Sequence, residues 1–567
     1  MKHKIFTVLV AAAASLPLAA QQTTINPYQY RIQKEVSARK GAVVSAHPLA
    51  SQAGLLVMQK GGNAFDAAIA TQLALAVVYP NAGNLGGGGF MVARLANGKT
   101  ISLDYRETAP AKAHRDMYLD AQGNVDGDKS VNGHLSSGVP GTVAGLFETL
   151  PYAKLPFRTL IQPAIDLAVK GFTISQREAA SLNGLQQDLK KYNTQSNALM
   201  RDKPWQAGDT LFQPELGATL LRIRDEGAKG FYEGKTAALI VAEMQRGGGL
   251  ITPDDLKSYR ARWRTPHRFM YKGHEVVSMP LPSSGGILLH QMLKMVENKP
   301  LPSYGFLSPM ATHLMVEAER RAYADRAEFM GDPDHVAVPE KQLTSEAYIK
   351  MRMQDYVAGV AGKSSQVKPG VVRKESEETT HISIIDDRGN AVAVTTTLNN
   401  SYGSKTFVGG AGFLLNDEMD DFSAKPGVPN MYGAVGGQAN AIAPGKRMLS
   451  SMTPTLVLKG GKPFLVVGTP GGTTIPTSVY QTIIDIIDFK LPTAKAVNGP
   501  KFHHQWLPDE IATEPSFPES TRKRLEQMGY NLKQRGAIGR TEVIRVLPNG
   551  SFEAVADGRG DDSAAGY

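Results

Sequence analysis

Two threonines at the ends of a hairpin pattern are the first residues whose type and spacing suggest chemistry. Residues 358–378 are dominated by Gly, Ser, Lys, Pro and Glu, lose apolar periodicity, and read as a mobile surface loop. Directly after them Thr379-Thr380-His381-Ile382-Ser383-Ile384-Ile385 is a strand-like run, followed by the turn signal Asp386-Asp387-Arg388-Gly389-Asn390 and a second strand over residues 391–399. Thr379 and Thr397 each lie nine positions from Arg388, so a hairpin centred there sets two hydroxyls face to face at one end of a sheet. A hydroxyl becomes a nucleophile when a base stands beside it; without one, these residues are an ordinary strand start.

A second hairpin pattern offers a complementary function. Thr455-Leu456-Val457-Leu458, the turn Gly460-Gly461 and Phe464-Leu465-Val466-Val467 lead into Gly468-Thr469-Pro470-Gly471-Gly472-Thr473-Thr474, and residues 475–489 read as a helix. Strand, glycine pair, hydroxyl cap and helix in that order leave backbone N–H groups unpaired at a helix start, where they can hold negative charge. This is a candidate oxyanion site.

Other chemistries fit less well. Ser283-Ser284-Gly285-Gly286 does not match a Gly-x-Ser-x-Gly elbow and reads as a glycine turn. The run Gly83-Asn84-Leu85-Gly86-Gly87-Gly88-Gly89 lacks the ending of a phosphate loop and the spacing of a dinucleotide fingerprint, which leaves close backbone packing. His503-His504 lacks the one-turn spacing of a helical metal pair. Asp417, Glu418, Asp420 and Asp421 are dense but lack the alternating ligands and turn glycine of a calcium loop. Arg559-Gly560-Asp561 matches an adhesion tripeptide only by its three letters. With no cysteine in the chain, thiolate nucleophiles, thiolate metal sites and disulfides are excluded, and no metal or cofactor is expected.

The elements that must hold these residues belong to a long, ordinary globular chain. The sequence has 567 residues, 42% hydrophobic and 20% charged, enough for a large core or several domains. Glycine punctuation alternates with helical patterns through the first two thirds, as at Gly61-Gly62 ahead of a core helix over residues 64–79, and no repeat period recurs. Residues 1–20, with Lys2 and Lys4 ahead of an apolar stretch ending Leu18-Ala19-Ala20, read as a secretory signal peptide and hence an exported protein without a membrane anchor. The formal charge of +9, or 9 − 2 = +7 without Lys2 and Lys4, is spread along the chain. The densest basic cluster, Arg522-Lys523-Arg524, reads as a solvated helix face, so nucleic-acid binding has no support.

The segment from Thr379 through Asn399 resembles the start of the small subunit of γ-glutamyltransferases, whose precursors cleave themselves before such a threonine. The resemblance extends to Gly83–Met91 as a run, to Asp104-Tyr105-Arg106-Glu107-Thr108-Ala109-Pro110, to Asp420-Asp421-Phe422-Ser423 with Pro426-Gly427-Val428-Pro429-Asn430, to Leu449-Ser450-Ser451-Met452-Thr453-Pro454-Thr455, to Pro470-Gly471-Gly472 and to the closing Ala565-Gly566-Tyr567. It covers nearly the whole chain after the signal segment.

It implies a mixed α/β (α+β) fold of the N-terminal nucleophile hydrolase type, a four-layer αββα sandwich built from two chains. Those chains are a large subunit, residues 21–378, and a small one, residues 379–567, which remain associated after cleavage between Glu378 and Thr379. It further implies that Thr379 attacks γ-glutamyl amides such as glutathione, that Thr397 orients it, and that the Gly471 and Gly472 N–H groups stabilise the oxyanion. Arg106, Ser450 and Ser451 would grip the donor carboxylate; Asn399, Glu418 and Asp421 would hold its ammonium. Tyr432 would belong to a lid, and water, amino acids or dipeptides would accept the γ-glutamyl group. Related enzymes, an acylase acting on glutaryl-cephalosporins or a hydrolysis-dominated, glutaminase-like one, share the implied fold and nucleophile. An exported solute-binding protein, in which Thr379 merely starts a strand, is the reading from another class.

Overall fold

Period-two alternation sorts the strand residues onto two faces. In the computed structural model, which describes residues 24–367, 379–425 and 437–567, the strands form two seven-stranded antiparallel sheets packed face to face. The first runs Ser563–Gly566, Gly41–Ser45, Thr380–Asp386, Ala391–Thr397, Gly88–Arg94, Thr100–Asp104, Arg262–Arg264. The second runs Glu35–Ala38, Phe552–Val555, Glu542–Val546, Lys462–Gly468, Thr455–Lys459, His274–Ser278, His267–Tyr271. Ile382, Ile384, Val392 and Val394 face the helices, whereas Ile385, Ala391 and Ala393 meet Leu456, Leu458 and Val466 of the second sheet. Val457, Leu465 and Val467 face the helices on the far side. Both faces of each sheet are therefore covered, each fully buried Val, Ile or Leu contributing about 1.5–3 kcal/mol.

The outer layers differ in their helices but serve the same purpose. Ala64–Val78 starts at an Asn63 capping box closed by Asp66 and is buried along its whole length, which its alanine-rich sequence permits beside a close neighbour, Pro48–Gln59. Gly285–Val296, Pro309–Phe329 and Thr474–Ile487 cover the second sheet. The result is the four-layer αββα arrangement. Each sheet mixes strands from before and after Thr379, so the two parts of the chain interleave. Among the described residues no helix is long and apolar enough to cross a membrane.

The described part of the composition-biased segment, residues 358–367, is irregular and largely exposed or half-buried, as a surface segment should be. It is fastened at two buried residues, Ser364 and Val367, whose carbonyl oxygens accept from Trp506 Nε1 at 3.0 and 2.8 Å.

Candidate active site

The Thr380–Asp386 and Ala391–Thr397 strands pair with Thr380 opposite Thr396 and Ile385 opposite Ala391. One further step of that register brings Thr379 beside Thr397. The glycine run holds Thr397 from the next strand: a Cβ on Gly87 would lie 2.1 Å from the Thr397 carbonyl oxygen. Asn84 Nδ2 donates to that same oxygen at 2.9 Å and to Thr396 Oγ1 at 3.2 Å. The Asn399 N–H donates to Thr397 Oγ1 at 2.7 Å, with Asn399 itself in the left-handed region at φ 78°, a conformation asparagine tolerates.

From the second sheet, Lys462–Gly468 delivers the other glycine pair. Gly468 leaves room for the His381 ring, which a Cβ would approach to 2.2 Å. Gly471 (φ 134°) and Gly472 (φ 53°) then turn the chain into the Thr474–Ile487 helix, a path that favours glycine. Neither glycine N–H donates to another group among the described residues. Gly472 faces Thr379 across a small cleft, while Gly471 lines an adjoining cavity of about 430 Å³.

The cleft is lined by Thr379, Thr397, Asn399, Gly472, Arg106, Glu418, Asp421, Ser450 and Ser451, with Met452 and Ile475 as apolar walls. Its ionic side is built on a short 3₁₀ helix, Glu418–Asp421, whose residues i and i+3 share a face. Glu418 meets the buried Arg106 guanidinium at 2.5 Å and Asp421 pairs with its other nitrogen, while Glu107 stands 3.6 Å away. Asp417 and Asp420 turn elsewhere, to Asn400 and Ser130. Burial pushes the Glu418 and Glu107 carboxyls above the usual carboxylate range, with Arg106 opposing. Burial also works against the Arg106 charge, but Glu418, Asp421 and Glu107 outweigh it and raise its pKa.

Residues 50–567 match the model of the Gamma-glutamyltranspeptidase family. The chain belongs to that family. It is 47% identical over 558 residues to a glutathione hydrolase proenzyme of Escherichia coli, covering 97% of this chain and 96% of the relative. Among solved structures, a cephalosporin acylase from Bacillus halodurans superposes with a TM-score of 0.83 at 25% identity, covering 97% and 99% of the two chains. A gamma-glutamyltranspeptidase chain from Helicobacter pylori is 43% identical with a TM-score of 0.56, covering 61% of this chain and 97% of its own.

In this member of the gamma-glutamyltranspeptidase family the serine pair is fastened by residues with no local signature. The Ser450 N–H donates to the Pro282 carbonyl at 2.9 Å. Ser284, read from sequence as part of a glycine turn, donates through its N–H and Oγ to the Ser450 carbonyl. Arg326, on a helix rich in charges, bonds to Ser284 and Ser451. Nothing in its neighbourhood along the chain separates it from Arg320 and Arg321. His503 and His504 go different ways, to Thr477 and Gln505 and to Asp509. Glu378, Tyr432 and residues 1–20 lie outside the described residues.

Proposed function

We propose that this chain is an exported, self-processing γ-glutamyltransferase and glutathione hydrolase in which Thr379, freed at its N-terminus, is the nucleophile. The observation that carries this reading is the gathering of nine residues from distant parts of the chain around one small cleft. Cleavage between Glu378 and Thr379 begins with attack of the Thr379 hydroxyl on the Glu378 carbonyl. Collapse of that adduct breaks the Glu378–Thr379 C–N bond, which frees the α-amine of Thr379 and leaves Glu378 as an ester on the Thr379 oxygen; water then hydrolyses the ester and releases a large chain ending at Glu378. The Helicobacter pylori chain, nearly all of which matches only 61% of this one, supports two separate chains.

That amine titrates near pH 7.7–8.0 in model peptides, so a useful share is neutral at physiological pH and can take the hydroxyl proton. Thr379 Oγ then bonds to the γ-carbonyl carbon of the donor. The oxyanion is held by the glycine-pair N–H groups, of which Gly472 faces the cleft. Collapse breaks the C–N bond and the proton passes to the leaving amine, cysteinylglycine in the case of glutathione. Water or the amine of an amino acid or dipeptide then attacks the ester carbonyl, and its C–O bond to Thr379 breaks to release glutamate or a new γ-glutamyl compound.

Arg106 with Ser450 and Ser451 binds the donor carboxylate, and Asn399, Glu418 and Asp421 bind its ammonium. Three carboxyl groups around Arg106 favour a donor that brings an ammonium over a glutaryl side chain, which has none. The family resemblance assigns a lid role to Tyr432, which lies outside the described residues. Residues 1–20 direct export and are removed. The test is a denaturing gel with N-terminal sequencing and an assay on γ-glutamyl-p-nitroanilide. Two chains, the smaller beginning at Thr379, and released p-nitroaniline are expected. A single uncut chain without turnover would refute the reading.

A further inference from the structure

Behind the serine pair stands a buried cation with no carboxylate of its own. Arg326, in the Pro309–Phe329 helix, is only 8% exposed. Its Nε donates to Ser284 Oγ and its Nη2 to Ser451 Oγ, both at 3.0 Å. Among the described residues no carboxylate lies within ion-pair distance of it. Arg320 and Arg321 on the same helix, by contrast, pair with Glu317, Asp509 and Asp355. A buried charge left without a counter-charge is costly, and an anion arriving nearby relieves that cost.

The serine hydroxyls show where such an anion would sit. Ser451 Oγ already accepts from Arg326, and Ser450 Oγ accepts from the Met452 N–H at 3.1 Å. Among the described residues neither hydroxyl proton is donated elsewhere, and both serines line the cleft. A hydroxyl has one proton, so each is left able to donate to a ligand. Arg106, the other cation at the cleft, is already engaged by Glu418 and Asp421. A donor carboxylate that met Arg106 alone would compete with two resident carboxylates.

We propose that Arg326 is a positioning residue for the α-carboxylate of the γ-glutamyl donor, holding Ser451 as a hydrogen-bond donor and supplying the compensating positive charge behind it. The proposal rests on the functional reading above and deepens it: recognition of a free α-carboxylate is shared between Arg106 and an Arg326–Ser451 relay. Arginine suits the role because its Nε and Nη2 span two acceptors at once, fixing Ser284 and Ser451 together, whereas a lysine offers one point of charge.

The experiment compares two donors on the two-chain enzyme: γ-glutamyl-p-nitroanilide, and 4-aminobutyryl-p-nitroanilide, which is the same donor without its α-carboxylate. For Arg326→Met, KM for the γ-glutamyl donor should rise roughly ten- to hundredfold with kcat changed less than about threefold, the size of one lost charge-assisted interaction. The kcat/KM for the 4-aminobutyryl donor should change less than about twofold, and Arg326→Lys should recover part of the γ-glutamyl KM. If Arg326→Met does not fold, Arg326→Lys and Ser284→Ala decide the matter by the same ratio of donors, with a smaller shift expected. An equal loss on both donors, or an unchanged KM, overturns the proposal. Absence of wild-type turnover on the γ-glutamyl donor overturns the functional reading and this proposal with it.

Discussion

The two sides of the cleft are made by different physics. On one, Thr379, Thr397 and Gly472 are neutral and are positioned by backbone register, close glycine contacts and a left-handed turn. On the other, Arg106, Glu418 and Asp421 are positioned by one another, through ion pairs around a buried guanidinium. Backbone geometry is stiff and fails by displacement; a buried ion cluster fails by losing a partner, which leaves the remaining charges uncompensated. In the function proposed above, reaction chemistry falls to the stiff side and substrate recognition to the ionic side. Changes on the first should therefore fall mainly on kcat and changes on the second mainly on KM.

The largest expected effect is at Thr379. Thr379→Ala should give an uncut chain on a denaturing gel and no detectable p-nitroaniline release; normal processing by this variant would move the nucleophile elsewhere. Next is Arg106→Met, which should raise KM for γ-glutamyl-p-nitroanilide about a hundredfold and lower the thermal midpoint, since Glu418 and Asp421 lose their cation. An unaltered KM would remove the ionic side from recognition.

Gly87→Ala comes third and tests the stiff side without touching a reacting group. Its Cβ would press on the Thr397 carbonyl, so kcat should fall about tenfold at nearly constant KM, the scale expected for a slight misplacement of a reactive group. A change confined to KM would contradict the division drawn between the two sides.

The smallest effect is on stability, and it has opposite signs on the two sides. Burial pushes the His381 imidazole down to about 3 from an ordinary 6.5. The unfolded chain therefore binds a proton that the folded one refuses. The stability tied to His381 is full above pH 6.5 and is lost as pH falls toward 3, by up to about 1.4 kcal/mol per pH unit. His503, also driven down to about 3 by burial, adds to the trend. Glu418, whose carboxyl burial raises, contributes stability that is present below the ordinary carboxylate range and lost as pH rises through its elevated value. Urea midpoints at pH 5, 6 and 7 should show His381→Asn with a shallower acid loss than wild type. Indistinguishable slopes would dismiss His381 as the titrating group.

Much of the stiff side was legible because it is local. A count of nine residues on each side of Arg388 anticipates the register observed between Thr380 and Thr396, since an antiparallel hairpin carries its pairing away from its turn two residues at a time. The glycine pair before Thr474 likewise announces a turn into a helix. The helix expected at residues 64–79 appears as Ala64–Val78, its start marked by the Asn63 cap. The ionic side was accessible only through family resemblance, because Arg106 meets Glu418 and Asp421 across more than three hundred residues.

By itself, then, the sequence determined the hairpins, their glycine turns, the buried helices and the family, all of which depend on short-range periodicity or on ordered motifs. Only the tertiary structure decided that Arg106 is held by Glu418 and Asp421, that Gly87 abuts Thr397, that Gly472 and not Gly471 faces the cleft, and that Arg326 stands behind Ser451. Those are contacts between segments far apart in the chain. Their geometry depends on how two sheets and two helical layers pack, which no local pattern of residues encodes.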